Sequence, residues 1–349
     1  MNEKTSNDNG RVVRLVDVAD AAGVSIATAS RSLSRSPGVS GALAEKVREV
    51  ALRLGYIANQ HARTLAGGTS STVGLLVHEI GDPYFSEIAG GVIDTAESMG
   101  MTVQICHTGR SPETELHHLR TFIANRVGTI IIAGSGHVDS SQQLAARHEL
   151  ESYVASGGRV AAIGRHHLGV DAIRPDNVAG GETIARHLVD LGHRKIAIAA
   201  GSTGLSTVAD RIVGITHVLA EYGIAQDDRP IVEVEFTDSG GRLATQQILE
   251  QHPHVTAIAA LNDAMAIGVL SELRARGISV PNEMSVAGFD DVAVASSLAP
   301  SLTTIRLPMS EMGRRALELA VSEPAARVRQ RKTSHELVAR DSTSTPRPN

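Results

Sequence analysis

Eight short apolar runs, each followed by a stretch of helical periodicity, dominate the sequence from Thr72 onward. They are too uniformly apolar for a sheet with one solvated face, and they are typical of parallel strands that helices cover on both sides. The sequence therefore predicts a doubly wound α/β body, in which ligands bind in the crevice at the carboxyl ends of the strands. The runs are VGLLV (73–77), TVQIC (102–106), GTIIIA (128–133), RVAAIG (159–164), KIAIAA (195–200), IVEVEF (231–236), TAIAAL (256–261) and SVAGF (285–289).

The loops after several of these runs are polar, as a binding crevice requires. They are GDPYF at 81–85, GR at 164–165, ND at 262–263 and FDD at 289–291. The adjacent carboxylates of Asp290 and Asp291 could form a catalytic pair, but neighbouring residues usually project differently. We therefore expect one of them to contact a ligand and the other to be structural.

Residues 15–34 predict two short helices joined by a tight turn. Gly23 allows the exit from the first helix, and Ser25 is a good N-cap for the second. Ser40 can cap a third helix that ends at Gly55. A small-residue turn between two short helices is typical of the helix-turn-helix, whose second helix enters the major groove of DNA. The alternative is an ordinary helical hairpin inside a larger core.

The charge of the chain is unevenly distributed. Residues 1–66 hold nine Lys and Arg against six Asp and Glu, whereas the whole chain of 349 residues has a net charge of −5. A positive head on an acidic body fits a protein that contacts phosphates with one end only. No segment approaches the roughly 18 uninterrupted apolar residues of a membrane span, and the N-terminus lacks the apolar part of a signal peptide. We therefore expect a cytoplasmic, nucleoid-associated protein without a membrane partner.

Residue patterns that would indicate an enzyme or a metal protein are not found. The sequence has no phosphate-binding GxxxxGK[ST] loop, HExxH metal helix or GxSxG nucleophile elbow. The fifteen histidines, including the pairs His117–His118 and His166–His167, lack the Cys/His spacing of a zinc site, so we interpret them as solvated surface residues. The single cysteine, Cys106, excludes an internal disulfide and lies in a run predicted to be a buried strand. We expect no catalytic residue, metal or cofactor.

A set of segments distributed along the chain matches one known family. They are DVA (17–19), AGVS (22–25), AT (27–28), SR (30–31), GY (55–56), DNVAGG (176–181), LGHRKIA (191–197), ALNDAMAIGVL (260–270), ISVPNEMSVAGFDD (278–291) and LTTIRLPMSEMG (302–313), with Asn59, Ala62, Arg63 and Leu65. In their order and spacing the sequence resembles the LacI/GalR family of bacterial transcription regulators from about Val13 to Arg340. The resemblance implies an all-α helix-turn-helix headpiece plus an α/β two-lobed, periplasmic-binding-protein-like effector domain.

The same resemblance implies boundaries along the chain. The body would consist of two lobes, each assembled from two separate segments. The expected parts are a disordered N-terminal tail (1–12), the headpiece (13–58), a hinge helix and linker (59–71), an effector-binding and dimerisation domain (72–340) with lobe 1 at about 72–174 and 303–330 and lobe 2 at about 175–301 and 331–340, and a disordered tail (341–349).

The second helix and the hinge are the candidate DNA contacts. We expect Ile26 and Ala27 to contact thymine methyl groups and Arg31 to contact guanine, while Thr28 and Ser30 bond phosphate oxygens. Alternatively, Ile26 and Ala27 pack against the first helix.

In the hinge, the resemblance implies DNA contacts by Asn59, Arg63 and Leu65, with Leu65 wedged between base pairs of the minor groove. The other reading makes Leu65 the first core residue of the body. Ala58 stands where the family has proline. Arg14 stands where the family has a serine or threonine cap, an expected loss of about 1 kcal/mol.

Nine residues are carried over from the family as the effector site: Asp82, Tyr84, Phe85, Arg165, Arg211, Phe236, Asn262, Asp290 and Arg306. Aromatic, amide and charged groups of this kind suit a small polyhydroxylated ligand, because each hydroxyl needs a partner. Alternatively, Arg211, Asn262 and Asp290 bridge the two lobes. Gly164 replaces the usual acidic neighbour of Arg165, which favours a larger or anionic ligand.

The predicted function is that of a ligand-responsive repressor. As a homodimer it would bind a palindromic double-stranded operator, and a carbohydrate or related polar metabolite between the lobes would change the operator affinity. Two other classes share the body fold, a solute-binding receptor and a sugar-modifying enzyme. The headpiece and the missing secretion signal disfavour the receptor, and the missing nucleophile disfavours the enzyme.

Overall fold

The computed structural model describes residues 13–33, 38–56 and 70–347, and the chain divides into two compact units between residues 69 and 70. We call the first unit the headpiece and the second the body. No helix within these three ranges is long and apolar enough to cross a membrane.

The headpiece contains three helices among its described residues: α1 (Leu15–Ala22), α2 (Ile26–Leu33) and α3 (Gly41–Leu54). Their apolar faces meet in one small core, so α1 and α2 form the predicted helix-turn-helix on a third supporting helix. The buried core residues are Val18, Ala19, Ala22, Ala29, Val47, Val50 and Ala51.

The turn between α1 and α2 is fixed by local hydrogen bonds. Gly23 has a φ of 71°, in the left-handed region that glycine adopts without strain. The Val24 N–H donates to the Ala19 carbonyl at 3.0 Å, which ends α1. The Ser25 hydroxyl then accepts from the Thr28 N–H at 3.1 Å, which makes Ser25 the cap of α2.

The starts of α1 and α3 differ from expectation. Arg14 precedes α1, and its N–H donates to the Asp17 carboxylate at 2.7 Å, so one end of the helix is satisfied without a serine or threonine cap. Ser40 precedes α3 at the expected position, but its side chain makes no capping bond to the described residues.

The body contains twelve strands and eight α-helices among its described residues. The strands are β1 (Thr72–Val77), β2 (Thr102–His107), β3 (Thr129–Ala133), β4 (Arg159–Ile163), β5 (Asp171–Pro175), β6 (Ile196–Ala200), β7 (Ile231–Glu233), β8 (Ala257–Ala260), β9 (Ser285–Ala287), β10 (Thr304–Arg306), β11 (Gln330–Thr333) and β12 (Glu336–Val338). The helices are α4 (Pro83–Ser98), α5 (Pro112–Ala124), α6 (Leu144–Ala155), α7 (Asn177–Asp190), α8 (Ser206–Glu221), α9 (Asp238–Gln251), α10 (Asp263–Ala275) and α11 (Met309–Val321).

The first lobe is built on an all-parallel sheet with the strand order β11-β5-β4-β3-β1-β2. Side chains of the inner strand β1 alternate between two cores. Leu75 belongs to the core under α4 and α11, and Leu76 belongs to the core under α5 and α6. Helices therefore cover both faces, as the apolar runs predict.

The second lobe repeats this plan with the parallel order β7-β6-β8-β9. Ile198 in β6 packs on the side of α7 and α8, whereas its neighbour Ala199 packs on the side of α9 and α10. All eight predicted apolar runs contain strands of the two sheets, and the doubly wound prediction is confirmed.

The chain passes between the lobes at three places. It leaves the first sheet after β5, returns through β10 to α11, and leaves again after β11. β10 pairs antiparallel with β12, and Asp290 forms an isolated bridge with Arg306 in β10. The first lobe keeps β11 through Thr333, so its second segment is three residues longer than the 303–330 predicted.

Two predictions about exposure are wrong. The run TVQIC forms β2, but β2 lies at an edge of the sheet, so only some of its residues are covered and Cys106 is half-buried rather than in the core. The tail predicted to be disordered from residue 341 is ordered through Arg347. Ser342 is fully buried, and its hydroxyl donates to the Val286 carbonyl at 2.6 Å, which attaches the tail to the second lobe.

Candidate functional site

The second helix of the headpiece exposes one edge. Ile26 is 52% exposed, and Ala27 and Arg31 are exposed beside it. Ala29 and Ser32, on the opposite edge, are buried in the headpiece core. The alternative that Ile26 and Ala27 pack against α1 therefore does not describe this structure.

Several polar side chains of α2 form hydrogen bonds within the helix or to its N-cap. The Thr28 and Ser25 hydroxyls are 2.8 Å apart, and the Ser32 hydroxyl donates to the Thr28 carbonyl at 2.8 Å. Thr28 and Ser30 are half-buried, and the Arg31 Nε donates to the Ala27 carbonyl at 3.3 Å. The surface of α2 therefore offers an apolar tip at Ile26 and Ala27 with Arg31 one turn further along the helix. The hinge residues Asn59, Arg63 and Leu65 lie outside the described residues, and their DNA contacts stay a prediction.

In the body, a cavity that opens to solvent lies between the two lobes. Seven of the nine residues predicted for the effector site line it together: Asp82, Tyr84, Phe85, Arg211, Phe236, Asn262 and Asp290.

Arg211 is the centre of the second-lobe wall. Its side chain is 2% exposed, and its guanidinium lies 3.6 Å from the centre of the Phe289 ring. Nε donates to Asn177 at 3.0 Å, Nη2 donates to Asp290 at 2.9 Å, and Nη1 donates to the Leu261 carbonyl. All of these partners belong to the second lobe. Arg211 and Asp290 thus stabilise one lobe and do not bridge two.

Two neighbouring residues complete this wall. The Asn262 carbonyl oxygen caps α10 by accepting from the Met265 N–H at 2.9 Å, which leaves its NH₂ group for the cavity. Asp290 has a φ of 120°, which its backbone bond to the Ile305 carbonyl at 2.7 Å maintains. Burial strongly raises the pKa of Asp290, against the effect of the Arg211 charge.

Two acids that adjoin these residues in sequence face away from the cavity. Asp263 accepts from the Thr304 hydroxyl at 2.7 Å and from the Val292 N–H at 2.9 Å, and burial raises its pKa to about 7. Asp291 pairs with Arg306 at 2.7 Å and with Arg340 at 2.6 Å. Of the two adjacent carboxylates, Asp290 lines the cavity, and Asp291 connects segments of the chain that pass between the lobes.

Arg165 and Arg306 do not line the cavity. Arg165 forms a two-point ion pair with Asp210 of α8, at 2.8 and 3.0 Å, which connects the first lobe to the second. A side chain at Gly164 is impossible because its Cβ would lie 2.2 Å from the Gly134 carbonyl, so Asp210 supplies the acid that the sequence lacks beside Arg165. Arg306 is exposed and is bound by Asp291 and Glu336.

The first-lobe wall begins with α4. The Asp82 carboxylate caps this helix by accepting from the Tyr84 N–H at 3.0 Å. Burial raises the pKa of Asp82, and the nearby Arg110 charge opposes this. The Tyr84 and Phe85 rings meet edge to face at 5.0 Å, and burial also raises the pKa of Tyr84.

Several cavity residues were not predicted, above all His78, Arg110, Ser135 and Thr207. His78 follows β1 and is 4% exposed, so the interpretation of the histidines as surface residues is wrong there; it is also wrong for His193, which is 1% exposed. Ser135 and Thr207 join the lobes, since the Thr207 N–H donates to the Ser135 hydroxyl at 2.9 Å.

Comparisons with known proteins agree with both parts of the chain. Residues 14–59 match the bacterial regulatory proteins of the lacI family, and residues 185–343 match the periplasmic binding protein-like domain. The HTH-type transcriptional regulator GalR of Escherichia coli (strain K12) is 34% identical over 335 residues, which cover 95% of each chain.

Solved structures show the same architecture. The lac repressor dimer bound to operator and the anti-inducer ONPF has a TM-score of 0.82 and 26% identity, with 96% of this chain and 100% of that chain covered. A LacI family regulator from Enterococcus faecium with bound ribose has a TM-score of 0.69 and 26% identity, with 79% and 100% covered. The predicted fold class, a helix-turn-helix headpiece with a two-lobed α/β body, is confirmed.

Proposed function

Since the chain belongs to the lacI family of bacterial regulatory proteins, and is a DNA-binding transcriptional regulator and not an enzyme, we propose that it is a repressor controlled by a small carbohydrate. As a homodimer in the cytoplasm it binds a palindromic operator through two headpieces. The observation that carries the proposal is the cavity between the lobes, lined by aromatic, amide and charged side chains, in a chain that also has an exposed recognition helix.

The headpiece supports the DNA-binding half of the proposal. Ile26 and Ala27 lie at the N-terminus of α2, the end that enters the major groove in helix-turn-helix proteins. Their apolar side chains suit thymine methyl groups, and Arg31 suits guanine. Asn59, Arg63 and Leu65 would add minor-groove contacts from the hinge. The positive excess of one headpiece is small, so two headpieces are needed for tight binding.

The cavity supports the ligand-responsive half. It combines aromatic faces with amide, carboxylate and guanidinium groups, as recognition of a polyhydroxylated molecule requires. The Enterococcus faecium relative is described with ribose bound. A ligand that contacts both walls favours the closed arrangement of the lobes, and a 100-fold change in operator affinity needs a preference of about 2.7 kcal/mol for one state.

The test measures binding of the full chain to DNA from upstream of its own gene by fluorescence anisotropy, over a series of salt concentrations, with and without sugars. Binding should weaken steeply with salt, and at least one sugar should shift the midpoint. Sedimentation velocity on the same sample should give a dimer. DNA binding that none of the sugars changes would contradict the effector half.

A matched pair of variants tests the recognition helix. Ile26→Glu places a negative charge on the exposed tip of α2 and should abolish operator binding. Leu52→Glu makes the same change at the 82% exposed Leu52 of α3 and should leave binding within a few-fold of wild type. Equal losses from both variants would contradict the assignment of α2.

A further inference from the structure

Two polar side chains of the first-lobe wall make no hydrogen bond within the part of the chain that the structure describes. Among the described residues, the Arg110 guanidinium and the His78 imidazole have no hydrogen bond or ion pair, although both line the cavity. Arg211 on the opposite wall is different, because each of its three nitrogens already donates to the protein. Unused donors beside a cavity are available to a ligand.

His78 is held in place by shape and not by hydrogen bonds. Its ring lies 5.8 Å from the Phe85 ring, and a Cβ at Gly134 would be 2.7 Å from its Nε2. Gly134 therefore leaves the space that the imidazole occupies. Burial lowers the pKa of His78 well below its ordinary value, so the ring is neutral and offers one donor and one acceptor.

The backbone of Arg110 has an unusual conformation. Its φ of 64° lies in the left-handed region, which is uncommon for a residue with a side chain. Backbone of this kind is concentrated at ligand sites, where the surrounding structure maintains it. The guanidinium carbon lies 5.7 Å from the centre of the Phe236 ring in the second lobe, so Arg110 reaches across the cavity from the first lobe.

Acidic and arginine side chains are equal in number around the cavity. Its described lining residues include two acids, Asp82 and Asp290, and two arginines, Arg110 and Arg211. Arg211 is paired with Asp290, and the charge of Arg110 acts on Asp82 without a direct ion pair. An anionic ligand at Arg110 would therefore meet the Asp82 carboxylate. A hydroxyl group can instead accept from Arg110 and donate to Asp82 at the same time.

We infer that Arg110 and His78 select the effector, and that the effector is an uncharged polyhydroxylated molecule and not a sugar phosphate or sugar acid. This inference rests on the proposed function, because it assigns the ligand class of the same cavity. It reverses the preference for an anionic ligand that Gly164 suggested, since Asp210 and not a ligand neutralises Arg165.

The test is calorimetry and thermal shift on the full chain with matched compounds: galactose, glucose and ribose against galactose 1-phosphate, glucose 6-phosphate and ribose 5-phosphate. A neutral sugar should bind and its phosphate should not. For that sugar, Arg110→Met should weaken binding by about ten- to a hundredfold and His78→Phe by about two- to tenfold. Arg110→Lys, which keeps the charge and loses the planar fork, should fall between Arg110→Met and wild type.

Two further variants separate binding from folding. Arg110→Gly removes the donors but suits the left-handed backbone, so it should weaken sugar binding while the Tm without sugar stays equal or rises. Arg120→Met removes an exposed arginine of the same lobe, paired with Glu149, and should not change sugar binding.

The outcomes distinguish failure of the inference about Arg110 and His78 from failure of the proposed function. If wild type binds a neutral sugar and Arg110→Met binds it within twofold, the inference fails and the carbohydrate-controlled repressor stands. If a sugar phosphate binds best, the charge argument fails. If no compound of either set binds wild type, the carbohydrate effector itself fails, and the inference fails with it.

Discussion

The two walls of the cavity carry similar residues in opposite states. The second-lobe wall is internally bonded, since all three guanidinium nitrogens of Arg211 donate within their own lobe, one of them to Asp290, and the Asn262 carbonyl oxygen accepts from the Met265 N–H. The first-lobe wall presents Arg110 and His78, whose polar side-chain atoms have no such partners among the described residues.

The difference indicates a division of labour between the walls. A side chain that is already bonded has a fixed position before any ligand arrives, so the second lobe can act as a rigid platform. Donors without a partner gain a new hydrogen bond when a ligand binds. The first lobe therefore supplies the contacts that make closure of the lobes depend on the ligand. Residues of the second wall should therefore matter first for stability, and residues of the first wall should matter first for ligand binding.

The largest expected effect is on the second wall. Arg211→Ala leaves the buried Asp290 carboxylate without its partner, and breaking a buried ion pair in this way costs about 3–5 kcal/mol. Urea unfolding of the body should show this loss, together with loss of the sugar response. Arg186→Ala, which breaks the exposed pair with Glu221, should cost far less, because solvent screens that pair. Similar stability for both variants, or an intact sugar response in Arg211→Ala, would contradict the role of Arg211 in a rigid second-lobe wall.

The second prediction concerns the pH dependence of stability behind the same wall. Because burial raises the pKa of Asp263 to about 7, the folded protein keeps a proton between pH 4 and 7 that the unfolded chain has released. The free energy of unfolding should therefore decrease as pH rises through this range, by up to about 1.4 kcal/mol per pH unit from this group, and the decrease should end above pH 7.

Asp263→Asn should make this dependence less steep in denaturant unfolding measured from pH 4.5 to 8, while Glu115, whose pKa burial also raises to about 7, keeps its own contribution. Asp238→Asn, which changes a half-exposed carboxylate paired with Arg242, is the matched control and should keep the wild-type slope. An unchanged slope in Asp263→Asn would assign the dependence to another group.

The third prediction tests the connection between the walls. Arg165 and Asp210 are about a quarter exposed and form the ion pair that joins the lobes. A double-mutant cycle of Arg165→Ala and Asp210→Ala should give a coupling energy of about 1 kcal/mol in urea unfolding. Each single variant should also need several-fold more sugar for the same response, because the closed arrangement is weakened. A coupling energy near zero would mean that the pair does not hold the lobes together.

Periodicity predicted the fold, and the family resemblance predicted most of the second wall. The sequences of β1 and β6 are continuous apolar runs because both faces of each strand are buried under helices. Arg211, Asn262 and Asp290 of the second wall were carried over from the family, as were Asp82, Tyr84 and Phe85 of the first wall, and the structure brings them into one cavity.

The first wall was harder to predict for a physical reason. A lone arginine with a left-handed backbone has no sequence signal, because Gly109-Arg110 reads as an ordinary loop. Arg165 was assigned to the ligand because its partner Asp210 is 45 positions away and belongs to another lobe. The C-terminal tail was assigned to disorder for the same reason, since Ser342 bonds to Val286, 56 positions earlier.

The smallest expected effect is at Arg306, the other residue carried over from the family that the structure places outside the cavity. Its side chain is 47% exposed and pairs with Asp291 and Glu336, so Arg306→Gln should change stability by less than about 0.5 kcal/mol. The sugar midpoint should stay within twofold of wild type, in the same calorimetric assay in which Arg110→Met loses binding. If Arg306→Gln instead lost sugar binding as strongly as Arg110→Met, the ligand would extend beyond the cavity to the crossing strand β10, and unused donors would no longer distinguish the two walls.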